Sequence, residues 1–347
     1  MLAARTVAKE QIEYQQVGTP ALQAGHALVR VHSVTLCGTD LHIWEDDYAT
    51  ELPIIQGHEF VGIVQETAGY DASIRTGDRV AVSPMFYCGR CYACNIGRVN
   101  ACKEMSVYGC YQDGAFVELM SIPMEKLHKL PEALDIAVAP LHEPVSIAMQ
   151  AVKRGRAVSG EKAVVLGCGP IGLLATLYMS DLGVEVIAAD TVPGRAALAQ
   201  QFGAKDILLI DPSAAFPDRS HAELLASWTQ DQGPSLVIEA TGVPDSLHNA
   251  IDMVATAGRV VSVGISDRDF SLPMRSLPVK EVDLIGSRNS QNLITEALEL
   301  LTRHQTEGRT LITHRYPLSG LSQAFETMRS KTELVGKVAI DMPGAVS

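Results

Sequence analysis

A surplus of basic residues is missing from this 347-residue sequence: Lys and Arg number 28 against 40 Asp and Glu, for a net charge of −12. Binding along a phosphate backbone needs Lys and Arg gathered on one face, so nucleic acid is not an expected partner. A local basic pocket for one carboxylate or phosphate is still compatible with that balance. The N-terminus, Met1-Leu2-Ala3-Ala4-Arg5, lacks the long apolar run and cleavage site of a secretory leader. The cytoplasm is therefore the expected location. An uninterrupted membrane span is lacking too, so no membrane partner is expected. Residues 163–180 run without a charge, long enough to be a candidate, but Gly167, Gly169, Pro170 and Gly172 break the run. A disulfide framework is equally out of place. The seven Cys are odd in number, and four of them crowd between positions 88 and 102. Secreted frameworks prefer an even count along a short chain, so metal ligation in a reducing compartment fits better. No internal repeat or low-complexity segment is present.

What is there predicts two domains, because the length exceeds the size at which one hydrophobic core keeps growing. Apolar residues at 47% and charged residues at 20% are ordinary for a globular chain. The first part is rich in short Val-, Ile- and Phe-containing runs bounded by Gly, Asp or Pro, as at 27–31, 60–64 and 79–82, which read as strands. A β-rich domain over 1–144 is expected. From 145 the texture changes to apolar runs at 163–166, 184–189, 207–210, 236–240, 259–263 and 282–285, with helical segments between them. That alternation describes a parallel sheet covered on both faces, over 145–286. The strand at 259–263 is expected near the sheet edge, where it would pair across a two-fold axis. After Gly286, Leu293, Ile294, Ala297, Leu298 and Leu301 fall at helical spacing. A strand at 334–340 and a frayed tail from Pro343 close the chain.

Gly167-Cys168-Gly169-Pro170-Ile171-Gly172 has the G-x-G-x-x-G pattern. The first Gly makes a tight turn, the second lets the backbone approach a pyrophosphate, and the third packs helix on strand. The helix N-terminus then offers free N–H groups to phosphate. Alone the pattern is weak. Here it follows an apolar strand, opens a helix, and is followed by Asp190 at the end of the next strand. An acid at that spacing accepts hydrogen bonds from the adenosine ribose and repels a 2′-phosphate, which favours NAD over NADP. Arg195 complicates that preference, although a solvated helix-surface Arg is its ordinary reading. Val263 and Gly264, at the end of a later strand, join the candidate cofactor residues.

Two metal sites of different character are expected. Cys88, Cys91, Cys94 and Cys102 form C-x2-C-x2-C-x7-C, a spacing that suits a closed tetrahedral zinc with a structural role. Iron–sulfur spacing does not match. Cys110 and Cys168 read as packing residues. The second group is scattered: Cys37-Gly38-Thr39-Asp40-Leu41-His42, then Gly57-His58-Glu59, then His142-Glu143-Pro144. Thiolate, imidazole and carboxylate together suit a zinc with an open coordination position. Singly, each has an ordinary structural role: a core Cys, a structural His, a Glu at a helix start.

With those motifs in that order, the chain resembles the zinc-containing medium-chain dehydrogenase/reductase (alcohol dehydrogenase) family over nearly its whole length. The resemblance implies an α/β protein in which a GroES-like β-rich catalytic domain is interrupted by a doubly wound Rossmann domain and completed by 287–347. It implies that Cys37, His58 and Glu59 ligate a catalytic zinc, with Glu143 as a fourth ligand or as the partner of the zinc water. Glu143 in place of a Cys looks like the sorbitol, threonine and sugar-acid dehydrogenase branch. Ser287-Arg288-Asn289 looks like members that oxidise galactonate- or gulonate-type acids, with Arg288 either a substrate contact or a cofactor-contacting or surface Arg. Thr39 and His42 resemble the family's proton relay, which passes the hydroxyl proton through the nicotinamide ribose. Asp40 is expected to orient His58. The implied cofactors are NAD and two zinc ions per subunit, and the implied assembly is a homodimer or homotetramer. Threonine-type or simple alcohol oxidation, and a non-catalytic NAD- and zinc-binding role, are the competing readings.

Overall fold

The structure, a computed structural model, describes residues 1–69, 73–330 and 334–344. The end of the predicted frayed tail, 345–347, lies outside the described residues. Two compact units emerge: 1–143 with 291–347, and 144–290.

The first unit is built on a sheet in the order Ile312–Pro317, Lys337–Asp341, His26–Thr35, Glu59–Ala68, Arg79–Val82 and Leu127–Lys129, with Leu119–Pro123 also pairing His26–Thr35. Its strands, the central two of ten residues each, are rich in β-branched side chains, and they enclose a core containing Val29, Val31, Val34, Phe60, Val64, Phe116, Ile122, Phe325 and Ile340. The C-terminal segment supplies two strands of this sheet. The last begins at Lys337, three residues later than the sequence pattern suggests, and ends at Asp341. Register matters most here. Thr35 is paired with Glu59 on one side and with Ala339 on the other. Three chain segments therefore leave or enter the sheet at one level, and Cys37 and His58 stand at that level.

The second unit is a six-stranded parallel sheet, in the order Asp206–Leu209, Glu185–Asp190, Lys162–Leu166, Leu236–Glu239, Arg259–Ser262 and Asp283–Gly286. The order reverses between the first and fourth strands in sequence, which is the switch point of a doubly wound fold. The apolar run that imitates a membrane span is divided into Lys162–Leu166 and the helix Pro170–Asp181. Among the described residues no helix is long and apolar enough to cross a membrane. One expectation fails: Arg259–Ser262 is not an edge strand but lies between Leu236–Glu239 and Asp283–Gly286. Its Val260 and Val261 are fully buried, whereas the true edge strand exposes Asp283, Leu284 and Gly286. Burial on both faces is the physical mark of an interior strand.

Candidate active site

The helix Gly38–Trp44 starts where the strand His26–Thr35 ends. Its Asp40 carboxylate accepts the backbone N–H of Cys37 at 2.9 Å and that of Gly57 at 3.3 Å. One buried acid thus fixes both turns that carry the candidate ligands. Gln56 reinforces the link, since its side-chain amide donates to the Asp40 carbonyl at 2.8 Å and accepts from the Thr6 hydroxyl. On the far side of the helix Trp44 stacks on Phe325 at 5.1 Å. The result is that Cys37, His58 and Glu59 offer ligand atoms within 4.8 Å of one another. Glu143, at the start of the helix His142–Arg154, is not part of that tight group. The expected Asp40–His58 hydrogen bond is not formed: Oδ1 stands 3.7 Å from Nδ1, which is an ion-pair distance. Asp40 is spent instead on backbone donors, and the Cys110 thiol is 3.8 Å from the same ring nitrogen.

Burial and mutual charge set the electrostatics of this group. Burial raises the Asp40 carboxyl above its ordinary value, with Glu59 adding to the rise. Burial and the Glu59 charge push the Glu143 carboxyl up to about 7. His58 resists its own burial and stands well above an ordinary imidazole because Asp40 and Cys110 favour its charged form. Burial is the largest cause in both acids, and the Lys337 ammonium works against it in each. The thiolate, imidazole and carboxylate of Cys37, His58 and Glu59, within 4.8 Å of one another, are a donor set that suits zinc.

Thr39 and His42 lie on the same short helix, one turn apart. His42 is half-exposed, and its Nδ1 faces both carboxylate oxygens of Asp47 at 2.9 and 3.0 Å. Arg288 is exposed on the segment that follows Asp283–Gly286.

The four-cysteine loop passes a geometric test. A tetrahedron of sulfurs at ~2.3 Å from a metal has edges of about 3.8 Å. The sulfurs of Cys91 and Cys94 lie 3.5 Å apart, those of Cys88 and Cys102 3.5 Å, and those of Cys91 and Cys102 3.9 Å. These separations exclude disulfides, whose sulfurs bond at about 2 Å. Backbone N–H groups of Lys103 and Cys94 draw the Cys91 thiol down to about 6, while burial and the neighbouring thiols push Cys94 up to about 12.

In the second unit a cavity of about 670 Å³ opens at the ends of the parallel strands, with Gly167, Gly169, Asp190, Arg195 and Thr241 in its wall. Gly167 has φ +97°, a turn that an L side chain resists. A Cβ on Gly172 would lie 1.8 Å from the Gly167 carbonyl oxygen, so the third glycine serves helix-to-strand packing. Pro170 and Ile171 open the helix. Pro170, Ile171, Gly172, Val263 and Gly264 are not among the residues that line the cavity. Gly264 instead packs backbone to backbone against Gly242. Asp190 faces the cavity and is also a brace, accepting N–H groups of Cys168 at 2.7 Å and Val192 at 2.8 Å. The glycine cradle and its acid fit a dinucleotide.

Sequence reasoning passed over Lys337, whose ammonium is buried against Glu59, and Asp47, and it read Cys110 as a packing residue without placing it beside His58. Lys337 did leave a signal. It is the one charge in Val335-Gly336-Lys337-Val338-Ala339-Ile340, an otherwise apolar run, and a buried Lys needs an acid partner.

The comparisons agree with this architecture. Residues 23–132 match the model of the alcohol dehydrogenase GroES-like domain, and residues 170–303 match that of the zinc-binding dehydrogenase. The chain is 33% identical over 325 residues to L-galactonate-5-dehydrogenase of Escherichia coli (strain K12), covering 91% of this chain and 92% of that protein. It is 30% identical to L-threonine 3-dehydrogenase of Bacillus velezensis, covering 91% of each. The crystal structure of a short chain alcohol dehydrogenase (rspB) from E. coli CFT073, complexed with NADH, superposes with a TM-score of 0.90 at 27% identity, covering 98% of this chain and 99% of that one. A β-rich unit carrying a thiolate–imidazole–carboxylate cluster, joined to a doubly wound sheet with a glycine cradle, thus has its counterpart in known enzymes, and the chain belongs to the zinc-type medium-chain alcohol dehydrogenase family of oxidoreductases.

Proposed function

We propose that the protein oxidises a secondary hydroxyl of a polyol or sugar acid, of galactonate or gulonate type, and reduces the corresponding ketone, with NAD as the hydride carrier. The observation that carries this reading is the convergence of Cys37, His58 and Glu59 beside an acid, Glu143, where simple alcohol dehydrogenases of this family carry a Cys. The similarity to an L-galactonate-5-dehydrogenase supports the sugar-acid class. Cys37 and His58 would hold the catalytic zinc with a carboxylate from Glu59 or Glu143, and Cys88, Cys91, Cys94 and Cys102 would hold the structural one. When bound, the catalytic zinc supplies Lewis acidity that eases loss of the hydroxyl proton. NAD supplies the hydride acceptor.

The chain's own residues do the rest. The Thr39 hydroxyl accepts the substrate proton and gives up its own along the path towards His42, whose half-exposed ring releases it to water. Asp47 holds Nδ1 of that ring, which leaves Nε2 to receive the proton. Asp190 accepts from the adenosine ribose, while the N–H groups opening the helix Pro170–Asp181 receive the pyrophosphate. Arg288 would pair with the substrate carboxylate.

The test is NADH formation from a panel of polyols, aldonic acids, threonine and simple alcohols, with and without a zinc chelator, in the native protein and in Cys37→Ala. A sugar-derived secondary alcohol should be oxidised, chelator should stop it, and Cys37→Ala should abolish turnover while NADH binding persists. Preference for threonine would instead select the amino-alcohol reading. Full activity in zinc-depleted Cys37→Ala would defeat the metal assignment.

A further inference from the structure

Glu239 closes the strand Leu236–Glu239 and is 1% exposed. It stands opposite Leu166, the residue before Gly167, and Ala189 faces Leu166 from the other side. A carboxylate this deep needs hydrogen bonds to offset its lost hydration, and neutral donors of the following turn supply them. One oxygen accepts the Thr241 N–H at 2.7 Å and the Thr241 hydroxyl, and the other accepts the Gly242 N–H at 3.3 Å. The Thr241 hydroxyl accepts in turn from the Val243 N–H at 2.9 Å. The backbone carbonyl of Glu239 receives the N–H groups of Val263 at 2.9 Å and Gly264 at 3.1 Å. Thr241 also meets the glycine cradle: a Cβ on Gly167 would lie 2.7 Å from the Thr241 methyl carbon. Ala240, Thr241 and Val243 line the cavity that Asp190 faces, whereas Glu239 is not in its wall.

We infer that Glu239 is a positioning residue of the dinucleotide site, the counterpart of Asp190 across the glycine turn, and that it acts by holding the 240–243 turn against Gly167. This rests on the NAD reading above. The Gly167 turn leaves the sheet between two neighbouring strands, and each of them ends in a buried acid. Asp190, from one, takes the N–H of Cys168. Glu239, from the other, orients Thr241 so that its methyl abuts Gly167. The Thr241 hydroxyl gives its proton to Glu239 and accepts from Val243, so it is committed to the turn. Fixing that oxygen fixes the methyl as well, because both are carried on one Cβ. The same residue accounts for Val263 and Gly264, which stand outside the cavity: their N–H groups dock on the Glu239 carbonyl and hold the next loop to the same strand end. Without the carboxylate, two N–H groups and a hydroxyl lose their acceptor, and the turn is free to move away from Gly167.

The test titrates NADH into the zinc-loaded protein by its fluorescence, and sets KM for NAD against kcat with the best substrate of the panel above. Glu239→Gln keeps the size of the side chain but only one acceptor oxygen. It should raise the NADH Kd and the KM for NAD about tenfold, the scale of one hydrogen bond to a charged group, with kcat changing far less. Thr241→Val keeps the shape and removes the hydroxyl, and it should weaken NADH binding in the same direction. The double variant should bind no more weakly than Glu239→Gln alone, because the two side chains act in one chain of contacts. If Glu239→Gln does not fold, Thr241→Val decides: weaker NADH binding supports the inference and native affinity overturns it. Native NADH affinity in Glu239→Gln also overturns it. So does a loss that falls as heavily on kcat as on KM for NAD, the sign of a general structural fault, and so do additive effects in the double variant. If the native protein itself fails to bind NADH, the NAD reading of the proposed function falls, and this inference with it.

Discussion

Asp190 shows how much one side chain carries. It is 8% exposed, and both of its oxygens accept backbone N–H groups, one from the glycine turn at Cys168 and one from Val192. The carboxylate that would receive the ribose therefore also shapes the turn that would receive the pyrophosphate. Hydrogen bonds to a charged group are worth about 2 kcal/mol each, so Asp190→Ser should weaken NAD use roughly thirtyfold. NADP use should fall less, because removing the carboxylate also removes its repulsion of a 2′-phosphate. Ratios of kcat/KM for the two cofactors check this, and an unchanged ratio would deny Asp190 its place at the ribose. The place of Asp190 in the cavity wall was legible because its distance from the glycine run is set by one strand–helix–strand unit. Lys337 was not. Its partner Glu59 lies far away in sequence, and only the register of three strands brings them together. Asp40 was half-legible: its position by the ligands was clear, but the backbone N–H donors it accepts from were not.

At the scale of elements the same distinction separates the two metal sites. The four cysteines fall within one loop, so spacing alone announced their cluster, and the sulfur separations agree with a tetrahedral metal. That loop has little else to hold it. Its only regular elements are Tyr92–Asn95 and Val99–Ala101, and Tyr92 and Ile96 are 79% and 50% exposed. A lobe without an apolar core depends on its metal for order. Cys91→Ser should therefore lose one zinc per chain, lower the Tm and open 88–102 to limited proteolysis, while NADH binding persists. Metal analysis and proteolytic mapping check this. An intact lobe with an unchanged Tm would mean that packing holds it. The Cys37 site, by contrast, draws on the end of one strand, the start of another and the head of the helix His142–Arg154. Its residue types were readable, yet its ligand choice depends on side-chain partners that no spacing encodes.

At the scale of the whole molecule, an open sheet edge bears on assembly. The sheet of the second unit ends at Asp283–Gly286, which pairs on one side only. Sequence reasoning assigned that edge to 259–263, because both runs are short and apolar and strand order is not written in composition. The segment leading to that edge mixes charges such as Asp267, Arg268 and Asp269 with exposed apolar side chains: Ile265 is 89% exposed, Met274 92%, Val279 65% and Leu284 39%. A free edge beside so much exposed apolar surface invites association, and proteins normally cover or charge such edges. The partner that fits best is a second copy, because two such edges related by a two-fold axis pair with each other and close the assembly. A homodimer through this edge is the expected state. A Pro at Leu284 would remove a backbone donor from the edge, and Met274→Asp would place a charge in the apolar patch. The double variant should shift light scattering from twice the 37.2 kDa chain mass towards the monomer, with the zinc content per chain unchanged. Dimers that persist in that variant would place the interface elsewhere, and a native monomer would leave the exposed residues without this role.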